Sequence, residues 1–111
     1  MTRRDDERLE RIRSELATLV VGGSLPGSLV VRSLRCGRQN CACRQDPPQL
    51  HGPYVQWSYS YRGKRVARWL NPEQADRLRA QVERGRRIKA LTAELDAAEI
   101  RRIERAERWG A

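Results

Sequence analysis

All three cysteines and the only histidine of the 111-residue chain lie between Cys36 and His51, spaced Cys36-x4-Cys41-x-Cys43-x7-His51. Three thiolates and one imidazole form a common ligand set for tetrahedral zinc. The spacing permits convergence. A turn through Gly37-Arg38-Gln39-Asn40 brings Cys41 back to Cys36, and the single small residue Ala42 forces a sharp bend between Cys41 and Cys43. The stiff stretch Gln45-Asp46-Pro47-Pro48 then returns the chain to His51. Arg35, Arg38 and Arg44 lie close enough in sequence to favour the thiolate form. The expectation is one structural Zn2+ per chain held by Cys36, Cys41, Cys43 and His51, with Asp46 or water as alternatives to His51. A closed four-ligand site offers no open position for catalysis.

Two other chemistries compete for these thiols: a buried or redox-active set without metal, and an iron–sulfur centre. Iron–sulfur clusters usually take four cysteines, and this chain has three. An odd, clustered set also fits a disulfide framework poorly, particularly where thiols stay reduced. The charged opening MTRRDDERLER has no apolar stretch behind it, and no apolar run approaches the ~20 residues of a membrane span. The reading is a soluble, cytoplasmic protein without a membrane partner.

The elements flanking the loop can be read from periodicity. Leu9, Ile12, Leu16 and Leu19 form one helical stripe, with Thr2 as its cap, Asp5, Asp6 and Glu7 in its first turns and Gly22-Gly23 as its stop. Ser28–Leu34 is β-branched and reads as a strand. Tyr54–Leu70 reads as a hairpin turning at Arg62-Gly63. A two-residue type I′ turn would pair Tyr61 with Lys64, whereas a three-residue loop would pair Ser60 with Lys64. The second segregates Val55, Trp57, Tyr59, Ala67 and Trp69 from Gln56, Ser58, Ser60, Lys64 and Arg68, with Val66 alone among the polar set, and is the register expected. It assigns Trp57, Tyr59 and Trp69 to a core.

Asn71-Pro72 caps a second helix, with one stripe at Ala75, Leu78 and Val82 and another at Ile88, Leu91, Leu95 and Ala98. Ile100, Ile103 and Ala106 extend it with a phase shift, and Gly85 marks a candidate kink or break. The near-heptad spacing after Ile88 implies a helical partner, either the first helix or a second protomer in a homodimer. The expected fold is α+β. An N-terminal amphipathic helix (1–23) precedes a small antiparallel sheet of two or three strands stapled by the zinc loop (24–71). A long C-terminal helix or helical hairpin, of coiled-coil character, follows (72–111). A core this small needs such a staple.

Charge separates the segments. The net charge is +9, yet residues 1–23 are neutral and residues 72–111 carry only +2. Residues 24–71 carry seven Arg and one Lys against Asp46 alone. Such an excess on one module is the footprint of a polyanion binder. A β-ribbon fits the DNA major groove. The candidate nucleic-acid contacts are therefore Arg32, Arg35, Arg38, Arg44, Gln56, Ser58, Arg62, Lys64, Arg65 and Arg68, with most of them on phosphate and Gln56 and Arg68 as the candidates to read base edges.

The segment SLVVRSLRCGRQNCACRQDPPQLHGPYVQWSYSYRGKRVARWL resembles a family of small bacterial proteins without an assigned activity. Their pattern is a strand, Cys-Gly-x3-Cys-x-Cys, His-Gly-Pro-Tyr and an aromatic hairpin with Gly-Lys, followed by a long helix. Here these are Cys36, Gly37, Cys41, Cys43, His51, Gly52, Pro53, Tyr54, Gly63 and Lys64. The resemblance covers roughly residues 24–100, and implies that the Cys/His set acts as a unit and an association with mobile DNA. In architecture alone, the hairpin and following helix are similar to integrase arm-binding domains, which lay a three-stranded sheet into the major groove.

The expected function is thus a zinc-stabilised, double-stranded-DNA-binding protein. A protein–protein adaptor acting through the long helix is the alternative. The chain offers no second histidine, carboxylate cluster, phosphate loop or nucleophile constellation within the module, so neither an enzyme nor a small-molecule substrate is expected.

Overall fold

The computed structural model describes residues 3–109. Helix α1 spans Arg3–Val21; the expected Thr2 cap lies outside the described residues. Strand β1 (Ser28–Leu34), a 3₁₀ turn (Ala42–Arg44), β2 (His51–Tyr61) and β3 (Lys64–Leu70) follow, and helix α2 spans Pro72–Glu107. The expected α+β organisation is thus the observed one, with three strands in antiparallel order β1-β2-β3.

α2 starts as its sequence dictates. Asn71 accepts from the Gln74 amide at 2.8 Å, and the Gln74 side chain accepts from the Asn71 amide at 2.9 Å, a reciprocal capping box. Gly85 does not break the helix, which runs on for a total of 36 residues. The glycine is there for a neighbour: a Cβ at this position would collide with the Leu25 carbonyl oxygen. The linker between α1 and β1 is pinned to these turns of α2 and to the sheet. The Leu25 amide donates to Gln81 O at 3.0 Å, Arg84 Nε donates to Gly23 O at 2.6 Å, and Trp57 Nε1 donates to Pro26 O at 2.8 Å.

The two helices run antiparallel, with Arg87 bidentate to Glu15 (2.9 and 3.2 Å), Arg8 near Glu94 (3.9 Å) and Arg13 on Glu99 (2.8 Å). Leu9, Ile12 and Leu91 are buried in this stalk, whereas Ala75 and Val82 are buried in the half of α2 that carries the sheet and linker. The radius of gyration, 21.2 Å, far exceeds the about 13 Å of a compact domain of this length. The chain therefore has two lobes on one long helix, each with a thin core. No helix among the described residues is long and apolar enough to cross a membrane.

The hairpin departs from expectation. Tyr61 pairs with Lys64, so the loop is Arg62-Gly63 alone, with φ of 50° and 76°. Positive φ at both residues gives a type I′ turn, whose twist matches that of the flanking strands. Glycine takes this conformation freely, while the Arg62 guanidinium lies 5.3 Å from the Tyr61 ring centroid. This one-residue change of register moves all of β3 to the other face relative to β2.

One face now carries Leu29, Val55, Trp57, Tyr59, Val66 and Leu70, all half-buried, together with the exposed Val31, Tyr61, Lys64 and Arg68. The opposite face carries Val30, Arg32, Tyr54, Gln56, Ser58, Ser60, Arg65, Ala67 and Trp69. Lys64 and Arg68 are thus not on the face of Gln56 and Ser58, and Trp69 is not a core residue. A hydrogen bond from Arg68 Nε to Tyr59 Oη (3.0 Å) accommodates the arginine. An arginine can lay its stem along an apolar face while its head finds a polar partner.

Candidate metal centre

Strand register delivers the first and last ligands. Leu34 pairs with His51 at the open end of the β1–β2 ladder, so Cys36, two residues on, lies beside the histidine that starts β2. The other two ligands come from the intervening loop. Cys41 precedes the 3₁₀ turn with extended backbone (φ −85°, ψ 147°), and Cys43 lies within it. The Arg44 amide closes this turn on Cys41 O (3.0 Å), and the Gln49 amide ties the return path to Ala42 O (3.0 Å).

The four ligand atoms converge within 4.8 Å of one another. Cys36 Sγ lies 3.7 Å from Cys43 Sγ, and Cys41 Sγ lies 3.1 Å from His51 Nε2. Two sulfurs bound to one zinc at about 2.3 Å in a tetrahedron stand about 3.8 Å apart, so the Cys36–Cys43 spacing already suits a shared ion. The Cys36 amide donates to Cys43 Sγ at 3.4 Å. Cys43 has no exposed surface and the other three ligands are half-buried. Asp46, the alternative fourth ligand, is exposed and outside the group; His51 completes it. The donor set and its convergence are compatible with a metal site.

Arg44 has an architectural task that the sequence did not reveal. Its Nη2 donates to Cys36 O at 3.0 Å and its Nε to Arg38 O at 3.3 Å. The guanidinium thereby clasps the two sides of the ligand loop.

A protein-family profile described as a domain of unknown function, DUF6788, matches residues 2–80, and so covers the ligand loop, the sheet and the start of α2. The chain belongs to the DUF6788 family. Comparison with curated proteins and with solved structures found no match. The DUF6788 match ends within α2, so most of the stalk's second helix lies beyond it.

Around the DUF6788 loop and sheet, the remaining candidates divide by position. Arg32 and Arg65 share the outward sheet face with Gln56 and Ser58; Arg35 and Arg38 lie in the ligand loop; Arg62 is at the hairpin tip; Lys64 and Arg68 are on the inner face. The outward face also presents Tyr54 (44% exposed) and Trp69 (53%), whose rings meet edge to face with centroids 6.1 Å apart. Correct pairing of Tyr61 with Lys64 would have identified Trp69 from sequence, because it fixes the face of every β3 residue.

Proposed function

We propose that this chain is a non-catalytic, zinc-stabilised protein that binds double-stranded DNA with the outward face of its sheet. One observation carries the reading. Arg32 and Arg65 stand on the two edge strands of a face whose centre is Gln56, Ser58 and Ser60, and no acidic side chain shares that face. A sheet of this kind enters the major groove, where edge cations meet phosphate and central polar groups meet base edges. With Arg68 on the inner face, Gln56 becomes the base-reading candidate, and Arg32 and Arg65 the phosphate contacts. The zinc would hold the β1–β2 junction and leave the chemistry to the surface, as a closed Cys3His set does.

The test is duplex binding by fluorescence anisotropy across a salt series. Affinity should fall steeply with salt, with a log–log slope of about −0.9 per phosphate neutralised. Absence of duplex binding at low salt would overturn the reading.

A further inference from the structure

On the half of α2 that carries the sheet, Ala75, Leu78, Val82 and Gly85 form a stripe, with Leu25 seated on Gly85. The stripe continues along the helix as Lys89, Ala93, Asp96, Ile100, Ile103 and Glu107. Their spacing is 4-3-4-3-4, that of a coiled-coil seam. α1 packs on a different side of this stretch, through Glu94, Glu99 and the buried Leu91. All six residues of the continuation are exposed, including Ile100 (56%) and Ile103 (49%).

The charges on this stripe choose its occupant. Glu94 and Glu99, on the α1 side, are paired with arginines of α1, whereas Lys89, Asp96 and Glu107 make no ion pair within the chain among the described residues. Lys89 and Glu107 are about five helical turns apart, hence on one line at opposite ends of the seam. A second copy laid antiparallel sets Lys89 against the partner's Glu107, Ala93 against the partner's Ile103 and Asp96 against the partner's Ile100, each pairing occurring twice. A parallel copy would oppose Lys89 to Lys89 and Glu107 to Glu107. The antiparallel overlap also ends at Lys89, just past the turn where Leu25 covers Gly85, so it spans the uncovered part of the stripe.

The geometry points to a homodimer formed by antiparallel pairing of residues 89–107 of α2, with Ile100 beside Asp96 in its two central layers, Ile103 against Ala93 in the flanking layers and Lys89–Glu107 pairs at its ends. The seam lies wholly beyond residue 80, where the family match ends. Dimer formation is independent of DNA binding by the sheet. Asp96 lies in the seam close to its counterpart across the two-fold, and two like charges there weaken the dimer.

Sedimentation equilibrium of the full chain without DNA is the test. The wild type should be a concentration-dependent dimer, and Ile100→Glu with Ile103→Glu should weaken it by about tenfold or more while the helical circular dichroism of the monomer is retained. Asp96→Leu should tighten it. Lys89→Glu alone and Glu107→Lys alone should each weaken it, and the double exchange should restore it. A monomer at all concentrations overturns the inference, as does a dimer indifferent to the isoleucine variants. Indifference to the single charge reversals overturns the antiparallel arrangement.

Discussion

The carbonyl oxygen of Leu25 packs directly against the Cα of Gly85, so the linker's backbone and the helix's backbone touch with no side chain between them. A glycine inside an exposed helix ordinarily costs about 1 kcal/mol relative to alanine. Here the sign reverses. An added methyl group would have to displace the Leu25 peptide, which is itself tethered by its amide to Gln81 O. Gly85→Ala is expected to destabilise the protein by about 1–3 kcal/mol, the usual cost of overpacking. Thermal or urea melting checks this, and a stabilised variant would show that the linker can move away at no cost.

Removal of the metal proposed for the Cys/His group should act on one lobe first. The ligand loop fixes the β1–β2 junction, while the α1–α2 stalk is held together by its own ion pairs and apolar residues elsewhere. A chelator is expected to lower the thermal midpoint and change the emission of the sheet tryptophans Trp57 and Trp69, with much of the helical signal surviving. One zinc per chain should be found by elemental analysis. Cys43→Ser should be the most damaging ligand substitution, because Cys43 is fully buried and also accepts the Cys36 amide. Full folding of a metal-free chain would refute the staple role.

The helices and the ligand set are legible in the sequence because each rests on local rules. The apolar stripe around Leu9 and Ile12, the Asn71-Pro72 start and the grouping of Cys36, Cys41, Cys43 and His51 need only spacing and residue chemistry to be recognised. The hairpin register is not legible in the same way. Arg62-Gly63 suits either loop length, and segregation of apolar from polar residues favours the wrong one. That criterion treats Arg68 as a polar-face residue, whereas a hydrogen bond to Tyr59 lets it lie on the inner face. Gly85 misleads for a related reason. Its cause is the backbone of Leu25, distant in sequence, and helix propensity carries no record of such a neighbour.

The Glu15–Arg87 pair links the stalk to acid pH. The hydrogen bond from Arg87 holds the Glu15 carboxyl below its usual value, outweighing the opposing effect of burial. Because the folded value is depressed, the stabilisation is fully present above the unfolded carboxylate pKa, near 4.5. It is lost as pH falls through the lower folded value. Glu15→Gln should therefore lower the midpoint at neutral pH slightly and flatten the part of its acid decline that lies below pH 4.5. Both proteins should converge at the acid end. Thermal midpoints from pH 2 to 7 provide the comparison, and parallel declines for the two proteins would show that the pair contributes nothing.

The two faces of the sheet can be separated by paired substitutions that remove equal charge. Arg32→Ala with Arg65→Ala empties the outward face, whereas Lys64→Ala with Arg68→Ala empties the inner one. General attraction to a polyanion would be weakened similarly by both, since each removes two positive charges. Binding through the outward face would not. It predicts a large loss of duplex affinity for the Arg32/Arg65 pair, with the salt slope reduced by about two units, one for each phosphate left without its arginine. For the Lys64/Arg68 pair it predicts a small loss and a nearly unchanged slope. Gln56→Ala should leave the slope intact and weaken the preference among duplex sequences, since a base-edge hydrogen bond carries specificity and little of the salt dependence. Anisotropy titrations of the variants at three salt concentrations decide among these outcomes. Equal losses for the two pairs would reduce the sheet to a charged surface and refute its role as the reading face.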